Sequence, residues 1–530
     1  MRLLKIIPTR WLTFGSARQA WLYFFIILLV LGIFFRFVNL DRKVYWHDEV
    51  YTSLRIAGYT RNEVVQQVFD SRVIGIEDLQ KYQRLNPEKG ITDTIEALMG
   101  NAEHPPLYYL MARLWAQWLG DSVTVRRSLS AWISLLAFPG IYWLCWELFQ
   151  SPRVGWIAIA FMSISPFHVL YAQEAREYSL WTVTILLSSA ALVRAMRLNT
   201  KFSWGIYAAT LALGFYSCLL FVLVAVEHGI YVLVRECCQW SKRLSAFILA
   251  ILAGVIAFSP WLLVIITNLF HLQAATAWMT VNPPLEFLVK IWGLHVSCIF
   301  VDFGFDLDHP FTYLVPWILL ILIGYSIYFL CRQTPQRIWL FIVTLIGVTP
   351  LALILPDLIL GGQRSTVSRY LIPCFLGIQL AVSYWFAHHI FSGRLYHLKI
   401  WQVILGILFT GGIVSCIISS QAETWWNKIT SYQNPQMANI INQANRPLVI
   451  SNASDINPGN VISLSYLLNP KVQFQLVVDP NIPQIADNFS DVFLYYPSKI
   501  LQQELEQNST IKIKPIDQAD NLPLWKLEKL

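Results

Sequence analysis

The sequence predicts a polytopic α-helical membrane protein with a small C-terminal α/β domain, and three observations carry that expectation. Of its 530 residues, 56% are hydrophobic and only 13% are charged, whereas charged residues make up about a quarter of soluble domains. Apolar runs long enough to cross a bilayer recur between residues 21 and 420. Beyond Gln421 no such run follows, and short β-rich pieces alternate with helix-like ones.

The first run, 21–38, lacks an A-x-A cleavage pattern and reads as a retained span. Further runs are 125–149, 154–170, 179–196, 202–216, 219–234, 244–266, 311–331, 338–355, 367–390 and 400–420. The stretch 105–119 is a twelfth candidate, and charge decides against it. Arg2, Lys5, Arg10 and Arg18 precede the first span without an acidic residue, which sets the N-terminus in the cytoplasm. If 105–119 crossed, the basic groups at Arg153, Arg194/Arg197, Arg235/Lys242, Arg332/Arg337 and Arg394/Lys399 would all lie outside. As a short amphipathic or re-entrant helix on the outer surface it leaves every one of them inside. The expectation is eleven spans in a membrane domain over 1–420, with 40–124 as the first large outer loop. The tail, 421–530, is then an extracytoplasmic α/β domain with β-rich pieces at 448–451, 472–478, 492–496 and 511–514.

The net charge of +7 sits mostly in short loops, which suits a topology signal and calls for no nucleic-acid partner. The eight cysteines are scattered singly except for Cys237 and Cys238, so neither a disulfide framework nor a C-x-x-C metal site is indicated.

Four polar motifs fall in the expected outer loops. Tyr45-Trp46-His47-Asp48-Glu49-Val50-Tyr51-Thr52 follows the first span. An acidic pair there either opens a surface helix, where the dipole favours it, or forms a site. Glu103-His104-Pro105-Pro106 is held at the membrane surface by two prolines that bend the chain and open a helix. Glu174, Arg176, Glu177 and Tyr178 close the second outer loop, and Arg364, Arg369 and Tyr370 enter a span from outside. Positive charge outside runs against the topology rule, and lipid phosphate is the nearest anion to explain it. A hydroxyl attacking an anomeric carbon with phosphate as leaving group needs a base and positive charge at the phosphate. A divalent metal cation is an open option for part of that charge, with Asp48, His104 and Glu174 as candidate ligands. Glu227-His228 lies within a span and reads as a structural pair.

These motifs, together with Ser368-Arg369-Tyr370-Leu371-Ile372-Pro373, resemble the bacterial membrane glycosyltransferases related to protein O-mannosyltransferases (family 39) and to the aminoarabinose transferase of lipid A. The resemblance spans 21–420 and implies the GT-C fold, an inverting reaction, and a polyprenyl-phosphate-linked sugar donor used on the outer face of the plasma membrane. The acceptor is a lipid, a glycan or a protein hydroxyl. Asp48 matches the family's catalytic acidic residue and Glu49 its partner; Glu103 and His104 fall at an acidic–basic pair near the lipid phosphate, and Glu174 near a second acidic site. Other readings remain: a transporter or lipid flippase, and an envelope polysaccharide polymerase or ligase. Transporters place charge at the bilayer midplane and show internal repeats, and neither is evident here.

Overall fold

The computed structural model describes residues 16–307, 309–392, 395–486, 488–507, 511–516 and 522–529. Arg2, Lys5, Arg10 and Arg394, on which part of the expected topology rests, lie outside the described residues. Among those residues, eight helices are long and apolar enough to cross a membrane, and nine if a bent pair counts as one span. The first is α1 (Ser16–Phe37). Two further expected runs form the shorter helices Lys201–Ser217 and Phe221–Arg235, of 17 and 15 residues. Pro106–Leu119 is a helix of 14 residues, about 21 Å long at ~1.5 Å per residue.

The expected continuous span at 154–170 is corrected by the bent pair, Pro152–Ile164 and Pro166–Ala172, which meet at 60°. Pro166 offers no backbone N–H and drives Ser165 to an extended conformation, φ −64° and ψ 119°. The break strands carbonyls that water cannot reach. Arg36 of α1 supplies the donors, bonding the carbonyls of Ser163 at 2.7 Å and Met162 at 2.9 Å. Close approach is possible because the neighbouring residue on α1 is glycine: a Cβ on Gly32 would stand 2.3 Å from the Ser163 carbonyl oxygen.

After the last span, Leu395–Gln421, the chain contributes five strands to a six-stranded sheet in the order β1-β3-β2-β4-β6-β5. These strands are β1 (Val73–Gly75), β2 (Pro447–Asn452), β3 (Gln473–Val477), β4 (Asp491–Tyr495), β5 (Ile511–Pro515) and β6 (Leu524–Lys529). β2 is parallel to both β3 and β4, and its six residues are all buried, as expected for a strand covered on both faces. The edge strand β1 comes from the first large loop, with Ile74 opposite Phe474. The loop and the tail therefore share one sheet. The segment 267–310, expected only as a loop, contains the helices Leu269–Thr276 and Leu285–Ser297.

Candidate active site

The helix α2 (His47–Ile56) begins directly after Trp46, so Asp48 and Glu49 both sit in its first turn. Successive helical residues point about 100° apart, and here that angle separates two environments. Asp48 lines a cavity of about 1960 Å³ and keeps 19% side-chain exposure. Glu49 is fully buried and does not line it.

Around Asp48 the charges alternate. His47 Nε2 lies 3.1 Å away, and Arg369 Nη2 donates to Asp48 Oδ2 at 3.4 Å. The Arg369 guanidinium lies against the rings of Trp46, Tyr178 and Tyr370, at 5.4, 5.5 and 5.7 Å from their centroids. Burial alone would raise the Asp48 carboxyl, but His47, Arg176 and Arg369 outweigh it and hold the group well below the usual carboxylate range. Arg176 donates to Thr52 Oγ1 at 3.1 Å, to the Tyr109 hydroxyl at 3.2 Å and to Glu177 at 3.2 Å. Burial opposes ionisation of Glu177 as well, yet Arg176 and His104 bring it down to about 2. His104 Nδ1 is 3.6 Å from Glu177 and its Nε2 is 3.8 Å from Glu103. Burial, then the field of Arg55, lowers the His104 pKa. Permanent positive charge beside Asp48 comes from arginine.

Glu49 and Glu174 belong to a second, closed lattice behind the cavity. Arg127 clasps Glu49 through both oxygens at 2.7 and 2.6 Å, and the Ala175 N–H donates to it at 2.9 Å. Lys428 stands 3.5 Å from Glu49 and 2.8 Å from Glu174, and Asn427 donates to Glu174 as well. Burial raises both carboxyls; Arg127 and Lys428 bring Glu49 below its ordinary value, whereas for Glu174 burial and the charge of Glu49 outweigh Lys428. Arg364 lines the cavity but is engaged by Asp357 at 3.0 Å.

The candidate metal ligands therefore do not converge. Asp48 is turned to Arg369, His104 to Glu177 and Glu174 to Lys428, and among the described residues no group of three His, Cys, Asp or Glu side chains could hold a metal ion.

Sequence reasoning missed Lys428. It follows the last span in the run Trp425-Trp426-Asn427-Lys428, a positive charge on the expected outer side, the same signal that singled out Arg369. It also missed Lys43, whose buried ammonium is pushed down to about 7 by burial and then by Lys428 and Arg127. A lysine depressed on folding binds fewer protons than it does unfolded, so its contribution makes stability rise between about pH 7 and pH 10. Lys43→Met is expected to flatten that rise. Thermal unfolding of the detergent-solubilised protein at pH 7 and pH 9 checks it, and an unchanged difference between the two would refute it.

Residues 103–264 match the family model of dolichyl-phosphate-mannose-protein mannosyltransferases, a stretch that includes Glu103, His104, Glu174 and Arg176 but neither Asp48 nor Arg369. No curated protein matches by sequence. Among solved structures, ArnT from Cupriavidus metallidurans bound to undecaprenyl phosphate aligns with a TM-score of 0.55 at 10% identity, covering 96% of this chain and 98% of that one. Its apo form aligns with a TM-score of 0.54 at 11% identity, covering 97% and 98%. The chain is an integral membrane protein with the GT-C fold, and over residues 103–264 it is similar to the protein mannosyltransferases.

Proposed function

We propose that this chain transfers a sugar from a polyprenyl-phosphate-linked donor to an acceptor hydroxyl on the outer face of the membrane, with inversion at the anomeric carbon. The observation that carries the reading is the Asp48–Arg369 pair at 3.4 Å in the wall of a large cavity. It sets a group that takes a proton beside one that holds a phosphate. The family match over 103–264 and the fold shared with ArnT, a protein solved with undecaprenyl phosphate, support the donor class.

In the free enzyme Asp48 is ionised but a weak base. A donor phosphate draws Arg369 and Arg176 onto its own oxygens, and the loss of their field lets the Asp48 pKa rise toward the ordinary range when the base is needed. The acceptor oxygen then forms its bond to the anomeric carbon on the face opposite the phosphate. The bond from that carbon to the phosphate oxygen breaks, its electron pair leaves with polyprenyl phosphate, and the hydroxyl proton passes to Asp48. One displacement inverts the centre. Glu49, Glu174 and Lys428 position α2 and the second outer loop from behind.

Arg369→Ala is expected to raise KM for the lipid-linked donor about 10- to 100-fold, the worth of a charge-assisted contact to phosphate. Removing that cation also raises the Asp48 pKa, so the acid limb of the rate profile moves to higher pH. Reconstituted protein assayed against a panel of radiolabelled polyprenyl-phosphate hexoses and pentoses tests both. A normally inserted variant with unchanged donor KM and pH profile would overturn the phosphate role.

A further inference from the structure

The two ends of the cavity differ in chemistry. One is walled by Leu272, Met279, Ile291, Leu294, Pro316 and Leu353, side chains suited to a lipid chain. The other is built by the first loop and the α/β unit. There the helix Asn434–Gln443 is amphipathic: Met437, Ala438 and Ile441 are buried under the sheet. Tyr432, Gln436 and Asn439 recur at spacings of four and three residues, are exposed, and line the cavity.

Two further features mark this end as built for a ligand. Asp455, which also lines it, holds a φ of 44°, a left-handed conformation uncommon outside glycine. Arg61 fixes that turn by donating to the carbonyls of Ala453 at 2.9 Å and Asp455 at 3.0 Å. The turn leaves the carboxyl end of β2, between β3 and β4, where the strand order of the parallel part of the sheet reverses. Open α/β sheets take ligands at such a crevice. This wall is also tied to the reacting carboxylate: Thr430, two residues before Tyr432, bonds His47 Nδ1 at 2.9 Å, and His47 adjoins Asp48.

Amides, hydroxyls and tyrosine rings recognise neutral hydroxylated ligands. A phosphorylated or carboxylated acceptor calls for arginine or lysine facing it, whereas it would meet the carboxyl of Asp455 in this wall, and Arg61 there donates to two carbonyls. A lipid acceptor calls for an apolar wall, and that lies at the other end. Resting on the transferase reading above, we infer that the end formed by Tyr59, Gln436, Asn439 and Asp455 is the acceptor subsite, and that the acceptor is a neutral glycan whose hydroxyl is delivered to Asp48.

The test uses the full chain in lipid vesicles with the radiolabelled donor panel and three probes: envelope glycan freed of lipid and protein, extracted envelope lipid, and delipidated envelope protein. The glycan fraction is expected to be labelled. In the Gln436→Ala, Asn439→Ala double variant, whose altered side chains are exposed, release of polyprenyl phosphate by water without acceptor should continue at the parental rate and so report an intact donor site. The KM for the glycan probe should rise about tenfold with little change in kcat. Labelling of lipid or protein but not glycan overturns the acceptor class, and an unchanged glycan KM overturns the subsite. A parent protein that neither hydrolyses any donor nor labels any fraction overturns the transferase reading itself and takes the subsite with it.

Discussion

Asp48→Asn is expected to lower sugar transfer roughly 10²–10⁴-fold, the typical cost of losing a general base, while leaving the protein folded and inserted. Asparagine keeps the size of the side chain and can still accept a hydrogen bond from Arg369, but it cannot take the hydroxyl proton. The stability effect is small by comparison. The folded-state pKa of Asp48 is depressed, so its ionised form contributes stability that is present above the unfolded carboxylate range and lost as pH falls through the folded value. With 19% side-chain exposure, the ion pairs behind that contribution are partly screened by solvent. Donor turnover and the melting temperature, measured on the same preparation, separate the two effects. A variant that melts like the parent and transfers sugar at close to the parental rate would sink the assignment of Asp48 as base.

The helical membrane class was legible because composition reports it directly: a backbone in lipid must satisfy its own hydrogen bonds, and apolar runs long enough to do so as helices can be read from the chain. The site was legible in part. Asp48, His104 and Arg176 stood in polar motifs of the expected outer loops, Arg369 placed positive charge where the topology rule disfavours it, and all four line one cavity. The division of labour between Asp48 and Glu49 was not legible, since adjacent letters carry no sign of which side chain faces a cavity and which faces Arg127. Arg127 was hidden for another reason. It lies inside an apolar stretch and acts on residues about eighty positions earlier, Leu40, Lys43, Val44 and Glu49, a distance that no local pattern reports. The joining of β1 to a sheet built almost 400 residues later has the same character. Nor could periodicity reveal the break at Ser165, although Pro166 pointed to it.

Arg127→Met is expected to cost about 3–5 kcal/mol of stability, the range for a buried ion pair that loses one partner, out of a total that for most proteins is only about 5–15 kcal/mol. Arg127 is the donor to both oxygens of Glu49 and to the carbonyls of Leu40, Lys43 and Val44 at 2.7, 2.9 and 2.9 Å. Without it a buried carboxylate loses its two shortest hydrogen bonds, three backbone oxygens lose a donor, and the segment that carries α2 out of the first span loses its anchor. The sequence resemblance assigned Glu49 to catalysis beside Asp48, and the geometry leads to a different expectation for it. Glu49→Gln should lower yield and melting temperature while each correctly folded molecule keeps a specific activity near that of the parent. In the Glu49→Gln, Arg127→Met double variant no unpaired charge is left between these two positions, so its destabilisation should fall short of the sum of the single effects. Melting curves for the four proteins, with specific activity per folded molecule, decide the matter. A Glu49→Gln protein that melts like the parent but does not transfer would place Glu49 among the residues that act on substrate.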